Sequence, residues 1–341
     1  MDRKSNGKIQ SLLARIDRLA ISEEIPDKYS QIFKEFLRSY QSVVEEHGKD
    51  LDAFLEIFNV FIRLVIEQFR SPFQFQPYHE KLRVPFDYYK FGLDFLRPLV
   101  DLPHSTLTGT ENLDLIETFL KKKENVILFA NHQIEADPQA ISILLEDCYS
   151  EFAENLIFVA GTRVTTDPLA IPFSMGRNLL CIHSKKYIDT PPEQQHEKQM
   201  HNKRTMERMV DLLSEGGHAI YVAPSGGRDR ANAEGVVEVA PFDPQSLEMF
   251  YLMAKKAKNL THFFPLSLST YHLLPPPETT ETELGESRIT RGGALHMHFG
   301  KEVDMEHFPG AEKATDKKDL RRIRAQYLWE CVNQEYKKFP K

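Results

Sequence analysis

The sequence predicts an α/β protein with a mixed, mainly parallel sheet flanked by helices and preceded by a small N-terminal helical bundle. Up to about residue 72, apolar residues recur every three or four positions, which is the period of an amphipathic helix. From residue 126 onward, short β-rich runs alternate with helical segments, as is typical of a parallel sheet with helical crossovers. The 341 residues, 41% of them hydrophobic, suffice for two domains. We expect a helical domain over residues 1–76 and an α/β domain over residues 77–341.

Three amphipathic segments make up the predicted bundle, over residues 9–20, 27–47 and 51–69. Pro26 precedes the second segment, Gly48 ends it and Pro72 follows the third. The second segment carries one continuous apolar stripe, formed by Tyr29, Ile32, Phe33, Phe36, Leu37, Tyr40, Val43 and Val44. Short turns between the segments predict an antiparallel bundle. Such a bundle is either a packed domain without chemistry or a docking surface for a partner or a substrate carrier.

The α/β part begins after residues 71–78, which contain two prolines and no hydrophobic period. Helices are expected near residues 86–96 and 113–123. The predicted strands are 126–130, 156–160, 179–184, 219–223, 263–269 and 295–299. The predicted helices that follow or alternate with them are 138–149, 197–213, 245–257 and 317–338.

The composition excludes several classes of protein. A net charge of −7 with 27% charged residues argues against a general nucleic-acid binder. Cys148, Cys181 and Cys331 form no C-x-x-C pair, which predicts reduced thiols without a zinc site. No window approaches 18 uncharged apolar residues, so no transmembrane segment is expected. The N-terminus lacks the features of a secretory signal or an intact transit peptide, which predicts a cytosol-like compartment or the mature form of a targeted protein.

The stretch V-I-L-F-A-N-H-Q-I-E-A-D-P (residues 126–138) is the first candidate site. His132 follows an apolar run typical of a buried strand, and Asp137 and Pro138 open a helical segment. Such a turn lies at the carboxyl end of a strand, where open α/β sheets bind ligands. There, His132 and Asp137 can serve as a general base and its orienting carboxylate. Alternatively, His132 bonds the turn backbone and Asp137 caps the helix. Spacing alone does not decide, because His47 and Asp52 are equally far apart.

Two further strand-end loops are rich in cations. The stretch A-P-S-G-G-R-D-R (residues 223–230) has glycines that let the backbone approach a ligand, and Arg228 and Arg230 suit a phosphate or a carboxylate. The stretch H-S-K-K-Y (residues 183–187) adds Lys186. Either loop could instead face solvent. Because three such loops meet one sheet edge, we favour a single site for an anionic substrate with a built-in base.

The motifs N-H-Q-I-E-A-D-P, C-I-H-S-K-K-Y and A-P-S-G-G-R-D-R, in this order, resemble the soluble glycerol-3-phosphate acyltransferases of the plastid type, which also occur in some bacteria. The resemblance covers essentially the whole chain. The His-x4-Asp pair is shared with a wide superfamily of glycerolipid acyltransferases, and its combination with S-G-G-R-D-R is more specific. The resemblance implies transfer of a fatty acyl group from acyl-acyl carrier protein or acyl-CoA to the sn-1 hydroxyl of glycerol 3-phosphate. The product would be lysophosphatidate, in the first step of phospholipid biosynthesis, and residues 77–341 would be the catalytic domain.

The resemblance also implies roles for single residues. His132 and Asp137 would be the catalytic pair, and Lys186, Arg228 and Arg230 would hold the phosphate. Candidate neighbours of the phosphate are Tyr187, Ser225, Gly226 and Gly227. In the family the position of Tyr187 can be a histidine, whereas a phenol adds no positive charge. We expect neither a cofactor nor a metal.

The residues alone leave alternatives open. These are an acyltransferase with a different phosphorylated acceptor such as lysophosphatidate, a phosphoryl-transfer enzyme, or a non-catalytic protein that binds a phosphorylated metabolite. A basic rim that includes Lys198, Lys203 and Arg204 is a candidate docking surface for an acidic carrier protein. The same residues could line the phosphate site or face solvent.

Overall fold

The computed structural model describes residues 3–184, 188–277 and 284–340. Within these ranges the α-helices are α1 (Arg3–Ile21), α2 (Asp27–Glu46), α3 (Leu51–Arg70), α4 (Tyr88–Leu96), α5 (Thr110–Lys121), α6 (Asp137–Asn155), α7 (Thr162–Thr166), α8 (Ile171–Ser174), α9 (Gln195–Glu215), α10 (Pro244–Lys256) and α11 (Lys317–Tyr336). The strands are β1 (Tyr78–His79), β2 (Thr106–Thr108), β3 (Asn125–Ala130), β4 (Ile157–Gly161), β5 (Asn178–Ile182), β6 (Ala219–Val222), β7 (Arg230–Ala231), β8 (Val237–Glu238), β9 (Thr261–Ser269) and β10 (His296–Phe299).

The main sheet of the described α/β region has eight strands in the order β1-β5-β4-β6-β3-β9-β10-β2, and β7 and β8 pair in a separate two-stranded sheet. The central strands β5, β4, β6, β3 and β9 run parallel to one another, and β10 runs parallel to β2. Only two pairings in this sheet are antiparallel, β1 with β5 and β10 with β9. The predicted α/β class, with a mixed and mainly parallel sheet after N-terminal helices, is confirmed.

Strand β3 shows why helices cover both faces of the sheet. All six of its residues are buried. Val126 and Leu128 join a core with α5 and α6, whereas Ile127 and Phe129 join a core with α9, α10 and α11. Because alternate residues of a strand point to opposite faces, an entirely apolar strand requires both layers. The carboxyl end of β3 is therefore held rigidly in the middle of the molecule.

The N-terminal helices pack with the predicted apolar stripe inside. The Asp50 side chain caps α3 by accepting hydrogen bonds from the backbone N–H groups of Asp52 at 2.9 Å and Ala53 at 3.3 Å. Tyr40 stacks on Phe54 with ring centroids 4.2 Å apart. The same apolar core continues into α4 and the start of α6. The bundle thus lies directly against the α/β part, and the division at residues 76 and 77 stays a prediction.

The predicted strands coincide with β3, β4, β5, β6, β9 and β10. Strands β1, β2, β7 and β8 were not predicted, because they have two or three residues each and are too short to show a hydrophobic period. Among the described helices, none is both long and apolar enough to cross a membrane.

Candidate active site

The turn after β3 brings His132 and Asp137 together. Nδ1 of His132 lies 2.8 Å from Oδ2 of Asp137. The histidine side chain is 28% exposed, whereas the aspartate side chain is buried at 1%. Because a carboxylate only accepts hydrogen bonds, this contact puts the imidazole proton on Nδ1 and leaves the lone pair on Nε2. A histidine in that tautomer can take a proton from a hydroxyl group.

Asp137 is fixed by further donors and does not cap its own helix. Its carboxylate accepts hydrogen bonds from the backbone N–H groups of Gln133 at 2.8 Å and Ile134 at 3.4 Å. The Thr270 hydroxyl donates a third at 2.5 Å. The cap position of α6 is Ala136, which offers no side-chain bond. The idea that Asp137 caps the helix is therefore wrong, since its carboxylate points back into the turn.

The pair His47 and Asp52, with the same spacing, is arranged differently. Nδ1 of His47 lies 3.2 Å from the carbonyl oxygen of Pro98. Asp52 forms an exposed ion pair with Lys8 at 2.8 Å. Spacing without the strand and the turn does not bring histidine and aspartate together.

A buried polar platform joins the turn after β3 to the loop after β6. The Asp229 N–H donates to the His132 carbonyl at 2.6 Å. The Asp229 carboxylate accepts from Asn131 Nδ2 at 2.8 Å, from Gln133 Nε2 at 3.3 Å and from the Ala240 N–H at 2.9 Å. These hydrogen bonds hold two of the three predicted loops, the one after β3 and the one after β6, side by side. The Asp229 carboxylate therefore links the two loops.

Asp229 has an unusual protonation behaviour. Burial raises its pKa to about 6, because the cost of ionising a carboxyl group away from water outweighs the hydrogen bonds from Ala240, Asn131 and Gln133.

The predicted phosphate-binding residues differ in what the structure shows of them. Nη2 of Arg228 lies 2.6 and 2.7 Å from the two carboxylate oxygens of Glu286. Arg230 donates from Nη1 to the Pro277 carbonyl, and burial together with the nearby Arg228 lowers its pKa. Lys186 and Tyr187 lie outside the described residues. Arg228 is thus already bonded to a carboxylate that the motif did not indicate.

The remaining motif residues form an exposed turn. The Ser225 hydroxyl donates to the Gly227 carbonyl at 2.9 Å. Gly226 has a φ of +66°, a conformation that glycine adopts readily, and a β-carbon added there would meet no other atom within 4 Å. Gly226 and Gly227 are both exposed.

An ion cluster surrounds Arg228, and sequence reasoning found only part of it. Its members are Arg163, Arg228, Arg288, Glu135, Asp167 and Glu286. Arg288 Nη2 contacts Glu135 at 2.7 Å and Asp167 at 3.2 Å. Burial works to raise the pKa of Glu135, but Arg288, Arg228 and Arg163 outweigh it and lower that pKa. Glu135 is therefore an ionised carboxylate three residues after His132.

Arg163 lies 3.4 Å from Glu286 within the cluster. Asp167, Glu286 and Arg288 were not singled out. In the sequence they are ordinary charged residues outside any motif. The fold buries them, at 0%, 2% and 6% exposure. A charged side chain is rarely buried without a partner, but the sequence does not reveal that it is buried.

An apolar cavity of about 130 Å³ opens beside the His132–Asp137 pair. His132, Glu135 and Asp137 line one part of it. Phe158 and Gly161, near opposite ends of β4, also line it, so the cavity extends along that strand. Aromatic rings from the bundle and the adjoining helices complete the wall, namely Phe36, Phe61, Phe95 and Phe173. A long apolar group fits such a lining.

Comparison with known proteins adds to this geometry. An acyltransferase family model matches residues 105–269. The chloroplastic glycerol-3-phosphate acyltransferase of Spinacia oleracea is 36% identical over 96% of this chain and 70% of that protein. Its counterparts in Cucurbita moschata and Arabidopsis thaliana are 35% and 34% identical over 96% of this chain, and over 73% and 72% of their own lengths. The chain belongs to the glycerol-3-phosphate acyltransferase family.

This membership confirms the expected family and the expectation of an acyltransferase enzyme. The 1-acyl-sn-glycerophosphate acyltransferase structure from Thermotoga maritima aligns with 83% of this chain and 96% of that chain. The identity is 18% and the TM-score is 0.41. The region that the acyltransferase family model matches, residues 105–269, contains the His132–Asp137 turn and the loop that carries Arg228 and Arg230.

Proposed function

We propose that the protein transfers a fatty acyl group from a thioester to the sn-1 hydroxyl of glycerol 3-phosphate and releases lysophosphatidate. The observation that carries this proposal is the His132–Asp137 pair, which lines the same apolar cavity as Glu135 and Arg288 of the ion cluster. The cavity suits the acyl chain and the cluster suits the phosphate. The acyl donor is acyl-acyl carrier protein, acyl-CoA or both.

The chemistry requires activation of an alcohol. Nε2 of His132 takes the proton of the 1-hydroxyl as its oxygen attacks the thioester carbonyl, and Asp137 stabilises the imidazolium that forms. General-base catalysis of this kind contributes about 10²–10⁴ in rate. Collapse of the tetrahedral intermediate expels the thiolate, which regains a proton as the thiol. The negative oxygen of that intermediate is stabilised by hydrogen-bond donors close to the catalytic turn.

The acceptor is oriented by its phosphate. Arg228, Arg230 and Lys186 bind the phosphate, which positions the hydroxyl near His132 and lowers the entropic barrier of the reaction. Arg228 belongs to the loop that the platform joins to the turn with His132. The phosphate-binding arginine and the general base are therefore held in place by the same hydrogen bonds. Because the named relatives are chloroplastic, we propose the plastid stroma as the compartment, with the bacterial cytoplasm as the alternative.

Removing the base tests the proposal. With glycerol 3-phosphate and an acyl thioester, His132→Ala should lower kcat about 10²–10⁴-fold, as loss of a general base requires. Thiol release is the readout, and circular dichroism checks the fold. His47→Ala is the matched control, since it has the same spacing to an aspartate, and it should retain turnover. Near-normal acyl transfer by the His132 variant would refute this mechanism.

The same assay separates the alternatives. Lysophosphatidate in place of glycerol 3-phosphate should give little thiol release. A faster reaction with lysophosphatidate would indicate a different phosphorylated acceptor. Phosphate-dependent binding without thiol release would indicate a non-catalytic binding protein.

A further inference from the structure

A strap formed by residues 284–293 crosses between the N-terminal bundle and the ion cluster. We propose that this strap is part of the acceptor site, that Glu286 is a positioning residue for the Arg228 guanidinium, and that helix α2 holds the strap in place. This inference rests on the proposed function, in which Arg228 binds the phosphate. It also gives the bundle a role in the reaction.

One side of the strap is attached to α2. Lys28 Nζ donates to the carbonyl of Leu284 at 2.9 Å. The Thr290 N–H donates to the Ser39 hydroxyl at 3.2 Å. These contacts join positions more than 250 residues apart in the chain. They fix both ends of the segment that contains Glu286.

The attachment at Gly285 is tight. Its φ is +77°, and a β-carbon added there would lie 2.9 Å from the Tyr29 ring. The Gly285 N–H also donates to Asp167 Oδ2 at 3.2 Å. A residue with a side chain would therefore have to move away from α2 or displace the tyrosine. The neighbouring Glu286 would move with it.

The other side of the strap enters the cluster. Both oxygens of Glu286 contact a single nitrogen of Arg228, while Nη1 of Arg163 approaches at 3.4 Å. The Glu286 side chain is 2% exposed and that of Arg228 is 12% exposed. On its other flank, Arg228 Nη1 lies 3.9 Å from Glu135 Oε1. The guanidinium is thus held between two carboxylates from different parts of the chain.

This arrangement has a chemical consequence for phosphate binding. A guanidinium has five N–H donors in a rigid plane, so one nitrogen can be anchored while other donors bind a ligand. Glu286 also offsets the repulsion between the neighbouring arginines. Without its charge, Arg228 would lose its closest anchor and would reorient before binding phosphate. Glu286 therefore sets the orientation of the clamp and contacts neither the hydroxyl nor the thioester.

The test is Glu286→Gln, assayed for thiol release with varied glycerol 3-phosphate and varied acyl donor. We expect the KM for glycerol 3-phosphate to rise about 10- to 100-fold, the range that corresponds to loss of a hydrogen bond between charged groups. The KM for the acyl donor should stay within about twofold of wild type, because the cavity is untouched. Glu306→Gln, which removes the exposed ion pair with Lys255, is the control and should leave both KM values unchanged.

Several results would overturn the inference. An unchanged KM for glycerol 3-phosphate would show that Glu286 does not position the clamp. A lower KM would show that Glu286 competes with the phosphate. A fall in kcat with both KM values unchanged would indicate a general structural role. If the wild-type protein itself releases no thiol with glycerol 3-phosphate, the proposed function fails instead.

A second pair of variants tests the strap itself and serves if Glu286→Gln does not fold. Gly285→Ala introduces a contact with Tyr29, whereas Gly235→Ala has a similar φ of +79° with open space around it. The two substitutions impose the same kind of backbone strain, so their difference reports the contact with α2. We expect only Gly285→Ala to raise the KM for glycerol 3-phosphate. Equal KM values for the two variants would refute a role for the attachment to α2.

Discussion

Individual carboxylates in the site are distinguished by the donors that surround them. Asp137 accepts from His132, from two backbone N–H groups and from Thr270. Asp229 accepts from Asn131, from Gln133 and from a backbone N–H. Hydrogen-bond donors contact both oxygens of each carboxylate. Replacing either aspartate with asparagine would therefore place the NH₂ group of the amide against one of these donors. The residue type is therefore dictated by hydrogen bonding as well as by charge.

Asp229→Asn should reveal the raised pKa of Asp229 through the pH dependence of stability. A folded-state pKa of about 6, above the ordinary value of 3.8, means that the folded protein binds this proton more tightly. The resulting stabilisation is fully present below pH 3.8 and is lost as the pH rises through 6. The stability advantage of wild type over the variant should therefore shrink by about 2 kcal/mol from pH 4 to pH 7.5. Denaturant unfolding of both proteins at these two pH values measures it, and a pH-independent difference would contradict it.

Among the secondary-structure elements, the sequence predicted the helices and strands that show a hydrophobic period or an apolar run. The strand–turn–helix around His132 could be predicted because eight consecutive residues, from the strand end at Ala130 to Asp137, determine it. The contact between Asp229 and His132 was not readable, because nothing in either stretch encodes which strands are neighbours. Strand β4 gave a clear apolar signal, but its position beside a cavity follows only from the packing of the bundle against the sheet.

Ala160 tests the cavity along β4. This small residue lines the cavity and is 6% exposed. Ala160→Leu should occupy space that the acyl chain needs and lower kcat/KM for long-chain acyl donors about tenfold or more. A short donor such as a butyryl thioester serves as the internal control and should lose much less. Equal losses with both donors would indicate that the acyl chain lies elsewhere or that the substitution disturbs the base.

The whole molecule is organised around an interface that joins the bundle to the α/β part. The apolar core of the bundle includes Phe95 of α4, Ala140 of α6 and Leu273. Tyr40 of the bundle donates its hydroxyl to the Phe95 carbonyl. The cavity wall also contains residues from both parts, and the strap contacts α2 of the bundle. The bundle is therefore positioned to stabilise the site.

Expression of residues 77–341 alone tests this arrangement and the predicted domain boundary. Loss of the bundle would expose the apolar side of α4 and release the strap, so we expect no cooperative thermal unfolding transition and no acyl transfer. Calorimetry and the thiol-release assay measure the two properties, with the full chain as the control. A fragment that unfolds cooperatively would instead support two independently stable domains.

The sequence by itself determined the family, the class of fold and the turn that holds His132 and Asp137. Each of these depends on local order: a motif, a hydrophobic period, or a strand followed directly by a helix start. The tertiary structure decided what Arg228 contacts, since Glu286 is 58 residues away and belongs to a segment without a period. It also decided that the bundle reaches the site through the strap. Ion pairs between distant residues leave no local pattern, because they depend on burial and proximity that only the folded chain creates.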